Sequence, residues 1–235
     1  MSGRIFMVPN NISDNRDLPF PEHQWEQIKQ VKLWIGESPK ACMRMISKLT
    51  PDLETECFFP VKQPLTEEEQ QQLLFRVKQG EDLAIISDAG CPGIADPGSQ
   101  WVLQAHQWQI PVIPLTGPCS FILALMASGL NGQHFTFHGY LPRDHKSLME
   151  KLRNMERALR QEGSTHIFME APHRNEGLFQ SILQVCGPDT MLHISCNLQQ
   201  HGGWSKTLRI DQWRTTKAPI QKKEVVFILG KGLVK

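Results

Sequence analysis

Residues 83–98 of this 235-residue chain read LAIISDAGCPGIADPG. The short apolar run at its start is typical of a strand buried on both faces of a parallel sheet. The loop after it holds three glycines, two prolines and two aspartates. Glycine lets a ligand approach the backbone closely, and ligands of open α/β sheets bind beyond the carboxyl ends of strands. The stretch therefore predicts a binding loop, although a tight turn before a helix capped by Asp96 or Ser99 would look similar.

Apolar runs and amphipathic segments alternate along the rest of the chain, which predicts an α/β fold. Helices are expected at 22–34, 39–49, 120–128, 144–161 and 173–186, and a capping box at Thr66 opens another that ends at Gly80. Further strands are expected at 5–8, 110–115, 135–140, 166–170, 191–196, 207–213 and 224–229. Two prolines place 110–115 at a sheet edge or at strand ends.

The Gly117-Pro118 pair interrupts both patterns and predicts a boundary between two α/β domains, residues 1–115 and 116–235. The first domain contains a mostly parallel sheet. The last two predicted strands have no helix between them, which indicates an antiparallel finish and therefore a mixed sheet in the second domain.

Composition narrows the class of protein. The formal net charge is only +1, so any nucleic-acid contact would depend on a local basic patch. No segment has the length of a membrane span, and the N-terminus lacks the apolar region of a signal peptide. The six cysteines are scattered without a C-x-x-C pair, which argues against a structural zinc site or a disulfide scaffold. We expect a cytoplasmic protein without a metal.

Three further segments follow predicted strands: TGPCS at 116–120, FHGYLP at 137–142 and EAPHR at 170–174. Together with residues 88–98 they resemble the tetrapyrrole methylase superfamily. The similarity is greatest to the branch that 2'-O-methylates a cytidine ribose in small-subunit ribosomal RNA, whose loop reads D-A-G-T-P-G-I-S-D-P-G. This chain differs from that loop only at Cys91 and Ala95, and the resemblance extends from residue 3 to about residue 230.

The resemblance implies a homodimer of two-domain subunits that binds S-adenosylmethionine between an N-terminal domain carrying the loop and a C-terminal domain that completes the cleft. It implies RNA or the ribosomal small subunit as partner. Residue by residue, the implied cofactor contacts are Pro9, Asp88, Ala89, Gly90, Ile94, Asp96 and Ser120.

The chain departs from the ribosomal branch in three places. Residues 8–12, VPNNI, lack the glycine of T-P-I-G-N-L, and residues 36–40, GESPK, replace A-E-D-T-R. The ribosomal enzymes also continue beyond the segment that matches residues 227–230. These are regions where a substrate would be selected. Methylation of a small molecule, or cofactor binding without catalysis, therefore stay open as alternatives.

A ribose hydroxyl is a poor nucleophile, so a base or a nearby cation would assist methyl transfer. The candidate catalytic residues are Glu37, Lys146, Glu170 and Arg174. Glu170 and Arg174 would equally form an ion pair at a helix start, and His173 is more readily a helix-entry residue than a base.

We expect residues 199–204 to form a surface loop. The alternative is that this loop covers the site, with Trp204 stacking on a base.

Overall fold

The computed structural model describes residues 2–13, 19–52, 54–59 and 64–232. The chain divides into two compact units, residues 1–119 and 120–235. No helix among the described residues is long and apolar enough to cross a membrane. All six cysteines are free thiols.

The first unit contains a five-stranded sheet in the order β3-β2-β4-β1-β5, in which every pair of neighbours is parallel. Its elements are β1 (Ile5–Val8), α1 (Glu22–Ile28), β2 (Leu33–Gly36), α2 (Pro39–Leu49), β3 (Glu56–Phe58), α3 (Glu67–Lys78), β4 (Leu83–Ile86), α4 (Ser99–Gln107) and β5 (Val112–Pro114).

Helices cover both faces of this sheet. Because successive strand residues point to opposite faces, Phe6 and Val8 of β1 pack with α1 and α2, whereas Ile5 and Met7 pack with α3 and α4. Every residue of β1, β2 and β4 is buried. The predicted parallel sheet is confirmed, and its carboxyl edge is where β1, β2 and β4 pass into loops.

The second unit contains a mixed five-stranded sheet in the order β6-β7-β10-β8-β9. Only β6 and β7 are parallel; the other neighbours are antiparallel, which confirms the predicted antiparallel finish. The elements are α5 (Ser120–Ser128), β6 (Phe135–Tyr140), α6 (His145–Glu162), β7 (Thr165–Met169), α7 (Asn175–Val185), β8 (Met191–Cys196), β9 (Trp204–Arg209), α8 (Ile210–Trp213) and β10 (Val225–Gly230).

One face of this sheet packs against α6, α7 and α8, and the other against α5. A partly buried hydrogen-bond chain crosses the α5 face. Thr207 Oγ1 donates to Ser128 O (2.8 Å) and lies 2.7 Å from His193 Nδ1. The Nδ1 atom must therefore carry the proton, and His193 Nε2 accepts from the Ser195 hydroxyl at 2.7 Å. The ring is held neutral with all of its hydrogen bonds satisfied.

Two sequence predictions are wrong. The helix expected over 22–34 ends at Ile28, and Leu33–Gly36 is strand β2, because burial inside the parallel sheet outweighs the helical spacing of the apolar residues. The strand expected over 207–213 ends at Arg209, and a helical turn carries Ile210 and Trp213 into the core. The alternative interpretation of the glycine loop has Asp96 or Ser99 as the cap of α4, whereas the structure has Gly98 at that position, with φ 138°.

The predicted edge position of the segment 110–115 and the capping box at Thr66 are confirmed. Trp204 begins β9 and packs against the core beside Trp213, at 6.5 Å between ring centroids. The alternative in which Trp204 stacks on a base is therefore not supported, and residues 197–203 form the turn between β8 and β9.

Acid should destabilise the second unit through its buried histidines. Burial lowers the pKa of His193 from 6.5 to about 4, and burial also lowers the pKa of His138 and of His166. Because this pKa is lowered, the stability due to a neutral His193 is complete above about pH 6.5 and is lost as the pH falls towards 4. The free energy of unfolding lost in this way is at most about 3 kcal/mol.

Thermal unfolding is followed by circular dichroism between pH 7.5 and 4. The melting temperature should depend less steeply on pH in His193→Gln than in the wild type. The exposed His145→Gln should keep the wild-type slope; equal slopes for all three proteins would contradict this account.

Candidate functional site

Two backbone hydrogen bonds join the loops that follow β1 and β4. Asn10 N donates to Gly90 O (2.8 Å), and Gly90 N donates to Asn10 O (3.0 Å). The buried Asn10 side chain adds two more, because its Nδ2 donates to Ser87 O (3.1 Å) and to Asp88 O (3.2 Å). The start of the glycine loop is therefore fixed in place by the loop after the first strand.

Asp88 extends this connection to β2. Its Oδ1 accepts from Ser38 N (3.0 Å) and from Ser38 Oγ (2.7 Å), and Ser38 is the residue that precedes α2. The Asp88 backbone N–H in turn points to Glu37 Oε2 at 3.3 Å. The carboxyl ends of three neighbouring strands, β2, β4 and β1, are thus held together by hydrogen bonds.

Three carboxylates gather at this edge: Glu37, Asp88 and Asp96. Burial, with smaller contributions from the negative charges of Glu37 and Asp88, raises the pKa of Asp96 from 3.8 to about 6. None of the three has a salt-bridge partner among the described residues. The edge is therefore a region of negative potential that a cationic group would relieve.

The remainder of the loop uses backbone conformations that favour glycine. Gly90, Gly93 and Gly98 have φ of 70°, 78° and 138°, and Ala95 has φ 63°. Gly93 N donates to Pro97 O at 3.1 Å, which closes the tip of the loop. Ile94, at this tip, is 45% exposed. An exposed apolar side chain beside carboxylates and open backbone suits a ligand with both an aromatic and a charged part.

The turn at residues 116–119 lies against the same loops. A Cβ atom on Gly117 would lie 2.1 Å from Pro9 Cβ, so only glycine fits there. The Cys91 thiol lies 3.4 Å from Pro118 O, and burial, with smaller contributions from Cys119 and Asp96, raises its pKa. The protonated thiol therefore donates to that carbonyl. The turn is held by packing against Pro9 and by the hydrogen bond from Cys91.

A cleft of about 370 Å³ opens between the carboxyl ends of β2 and β4 and the start of α4. Ile35, Ile85 and Trp101 give it an apolar floor, and Glu37 and Gln70 contribute polar groups. Its size and lining are those of a small-molecule or nucleoside site. Glu37 connects this cleft to the glycine loop.

The second unit has a cleft of its own, about 570 Å³, at the carboxyl end of β7. It is lined by Glu170, His173 and Arg174, together with residues of the 140–143 segment. Arg174 Nη2 lies 3.0 Å from Glu170 Oε2, and the Glu170 side chain is 2% exposed. Glu170 Oε1 accepts from Ala171 N at 2.7 Å. The ion pair considered from the sequence is therefore present.

The structure places the candidate residues in two groups. In the first unit the loop brings Asp88, Ala89, Gly90, Ile94 and Asp96 together near Glu37, with buried Pro9 behind them.

In the second unit Glu170 and Arg174 meet, whereas Lys146 is an exposed residue of α6 outside their cleft, and Ser120 is the first residue of α5. No group of His, Cys, Asp and Glu among the described residues is arranged to hold a metal.

Sequence reasoning missed Asn10 and Ser38, which position the loop. The sequence gives little indication of their role, because each forms hydrogen bonds with residues far along the chain. Asn10 donates to the carbonyls of residues 87–88, and Ser38 donates to the Asp88 carboxylate. Ser38 before Pro39 has the pattern of an ordinary helix start, and the structure shows that its hydroxyl donates to Asp88 instead.

Comparison with known proteins identifies relatives with one shared name, Ribosomal RNA small subunit methyltransferase I. The protein from Haemophilus influenzae is 30% identical over 234 residues, which cover 97% of this chain and 79% of the relative. The protein from Vibrio cholerae is 40% identical over 183 residues, 78% of this chain and 60% of the relative. The latter alignment spans less than two thirds of the relative's own length. No family model matches the chain.

Solved structures share the fold at low identity. The methyltransferase CobJ has a TM-score of 0.65 at 14% identity, covering 100% of this chain and 96% of that one. Uroporphyrin-III C-methyl transferase from Thermus thermophilus, complexed with S-adenosyl homocysteine, has a TM-score of 0.54 at 18% identity, covering 98% of each chain. The predicted tetrapyrrole-methylase-like α/β fold is confirmed.

Adding a methyl group at Gly117 should destabilise the first unit. Gly117→Ala forces Pro9 to move, at a cost of about 1–3 kcal/mol, as for other overpacked sites. Gly177→Ala is the matched control, because its Cβ would meet nothing within 4 Å inside α7, and alanine favours a helix by roughly 0.5–1 kcal/mol. Chemical denaturation should show the two variants shifting in opposite directions; a neutral Gly117→Ala would contradict the predicted clash.

Proposed function

Because this chain belongs to the ribosomal RNA small subunit methyltransferase I family, we propose that it methylates the 2'-hydroxyl of a ribose in small-subunit ribosomal RNA. Membership of the family makes it an S-adenosylmethionine-dependent methyltransferase. The observation that carries the RNA proposal is the loop at residues 88–98, which matches the ribosomal branch at nine of eleven positions and is held at the carboxyl edge of the sheet. The proposal includes a homodimer and a cytoplasmic location.

The first unit suits this cofactor. Asp88, Asp96 and Glu37 form a carboxylate cluster that has no salt bridge within the described part of the chain, and such a cluster complements a positively charged sulfonium and ammonium. Ala89 and Gly90 offer backbone groups, and exposed Ile94 offers an apolar surface for adenine. We assign Pro9 to packing behind the ligand, and we propose a hydroxyl contact for Ser120.

When bound, S-adenosylmethionine supplies an electrophilic methyl group on a sulfonium sulfur. The chain's own task is to align the acceptor oxygen with that group, which is worth up to roughly 7–11 kcal/mol in favourable cases. We assign Glu37 the role of proton acceptor, because its carboxylate lines the 370 Å³ cleft and also meets the glycine loop at Asp88. Arg174, fixed by Glu170, and Lys146 are proposed to contact the RNA backbone.

A calorimetric titration tests the cofactor site. Asp88→Ala should weaken binding of S-adenosylmethionine by at least about tenfold, because it removes a charge-assisted contact and also the Ser38 hydrogen bonds that hold the loop. Asp82→Ala is the matched control: this carboxylate lies beside the opposite end of β4, where it pairs with Arg4. The control should bind the cofactor as the wild type does.

Transfer of a tritiated methyl group would then be measured on small-subunit particles, free ribosomal RNA and a small-molecule extract. Label in the ribose of ribosomal RNA supports the proposal, and loss of that label in Asp88→Ala assigns it to this site. Label in the small-molecule fraction alone would replace the RNA substrate with the alternative. A folded wild type that binds no S-adenosylmethionine would contradict the proposed site itself.

The cofactor affinity should depend on the ionisation of Asp96. Its pKa of about 6 in the free protein means that this carboxylate is mostly charged at pH 7.5 and mostly neutral at pH 5. A cationic ligand binds the charged form better, so affinity for S-adenosylmethionine should fall as the pH is lowered through 6. In calorimetric titrations at several pH values, Asp96→Asn should bind more weakly at pH 7.5 and lose most of this dependence. An unchanged pH profile in the variant would assign the titration to another group.

A further inference from the structure

Helix α2 carries cations and no carboxylate. Lys40, Arg44 and Lys48 follow one another at intervals of four residues, and the helix has no Asp or Glu. Like charges at this spacing lie on one side of a helix and destabilise it slightly. We call these three side chains the α2 cation row. Residues four positions apart in a helix are separated by about 6 Å along its axis. This distance is comparable to the separation of successive phosphates along a nucleic-acid strand.

The cation row lies on the solvent side of the first unit. Cys42, Met45, Ile46 and Leu49 form the buried face of α2, whereas Lys40 and Arg44 are exposed and Lys48 is half-buried. The chain as a whole has a net charge of +1, so this helix is a local basic surface on a nearly neutral protein. Such a surface supplies sequence-independent attraction to phosphates.

A shallow groove of about 150 Å³ runs beside the row. Arg44 and Lys48 form one wall, the loop residues Asn10 and Asn11 form the other, and Asp88 lies among the lining residues. Among the described residues that line the groove there are two cations, two amides and one carboxylate, and Ser38 already donates to that carboxylate. Phosphates are attracted towards α2 and repelled from Asp88, so the part of a nucleotide nearest the cofactor loop would be uncharged.

We propose that the α2 cation row binds the sugar-phosphate backbone of single-stranded RNA and places a ribose, rather than a phosphate, towards the Asp88 loop. This inference rests on the proposed function, because it names the surface through which the same site holds its RNA. The groove is built from the loop after β1 and from α2, and Asn10 and Ser38 tie both to the glycine loop. The proposed backbone-binding surface therefore adjoins the glycine loop, and the row side chains themselves lie outside that loop.

The test measures the affinity for a fluorescent single-stranded oligocytidylate as a function of salt. Each phosphate contact on a single strand contributes about 0.7 to the slope of log affinity against log salt, so neutralising the two exposed cations with Lys40→Gln and Arg44→Gln together should flatten the slope by about 1.4. Arg44→Gln alone should flatten the slope by about 0.7. Arg44→Lys, which keeps the positive charge, should have a slope close to that of the wild type. Arg153→Gln, the same charge change at an exposed position of α6, should leave the slope unchanged.

Two further readouts separate this inference from the proposed function. The row variants should keep wild-type affinity for S-adenosylhomocysteine and should raise KM for ribosomal RNA. A wild type that methylates ribosomal RNA while the row variants keep its slope and KM overturns the row and leaves the function intact.

Two other results also overturn the proposal. In the first, the wild type does not bind oligocytidylate at low salt. In the second, the row variants bind oligocytidylate normally and lose only the intact small-subunit particle, which would assign α2 to a ribosomal protein.

Discussion

The paired hydrogen bonds between Asn10 and Gly90 are the constraint on which the candidate site depends. A parallel sheet brings its strand ends to one edge, but it leaves the loops that follow them free to diverge. The bridge fixes the loop after β1 to the loop after β4, and the Asp88 carboxylate then fixes the latter to Ser38 at the start of α2. Loops from three strands become one rigid surface. That rigidity gives the carboxylates of Glu37, Asp88 and Asp96 defined positions in spite of their mutual repulsion.

Charge is distributed unevenly around this surface. Carboxylates cluster on the glycine loop and at the end of β2, while cations follow α2 a few residues away. Separation of this kind lets one unit bind a cationic cofactor and an anionic polymer without the two competing for the same contacts. A net charge near zero is the sum of the two regions, which is why the overall balance alone could not decide whether RNA is a partner.

Local chemistry made much of the fold predictable. Glycine, proline and capping patterns act within a few residues, so the loop at 88–98, the capping box at Thr66 and most strands and helices follow from the sequence. The errors arose where distant contacts decide. Burial in the sheet turns Leu33–Gly36 into a strand, and the core draws Trp213 into a helical turn. Asn10 was not predicted for the same reason, because its partners lie more than seventy residues along the chain.

The departures from the ribosomal branch fall into two physical kinds. Cys91, where the branch has threonine, donates its thiol proton to Pro118 O, because burial keeps the thiol protonated. Thiol and hydroxyl are both donors, so this substitution keeps the type of group at the position. The segment 36–40 differs in kind, since it contains Glu37 at the cleft, Ser38 on Asp88 and Lys40 at the start of the α2 cation row. Substitution there alters the groups presented to an acceptor while the Asp88 anchor holds the loop. The cofactor surface can therefore stay constant while the recognition of the acceptor diverges.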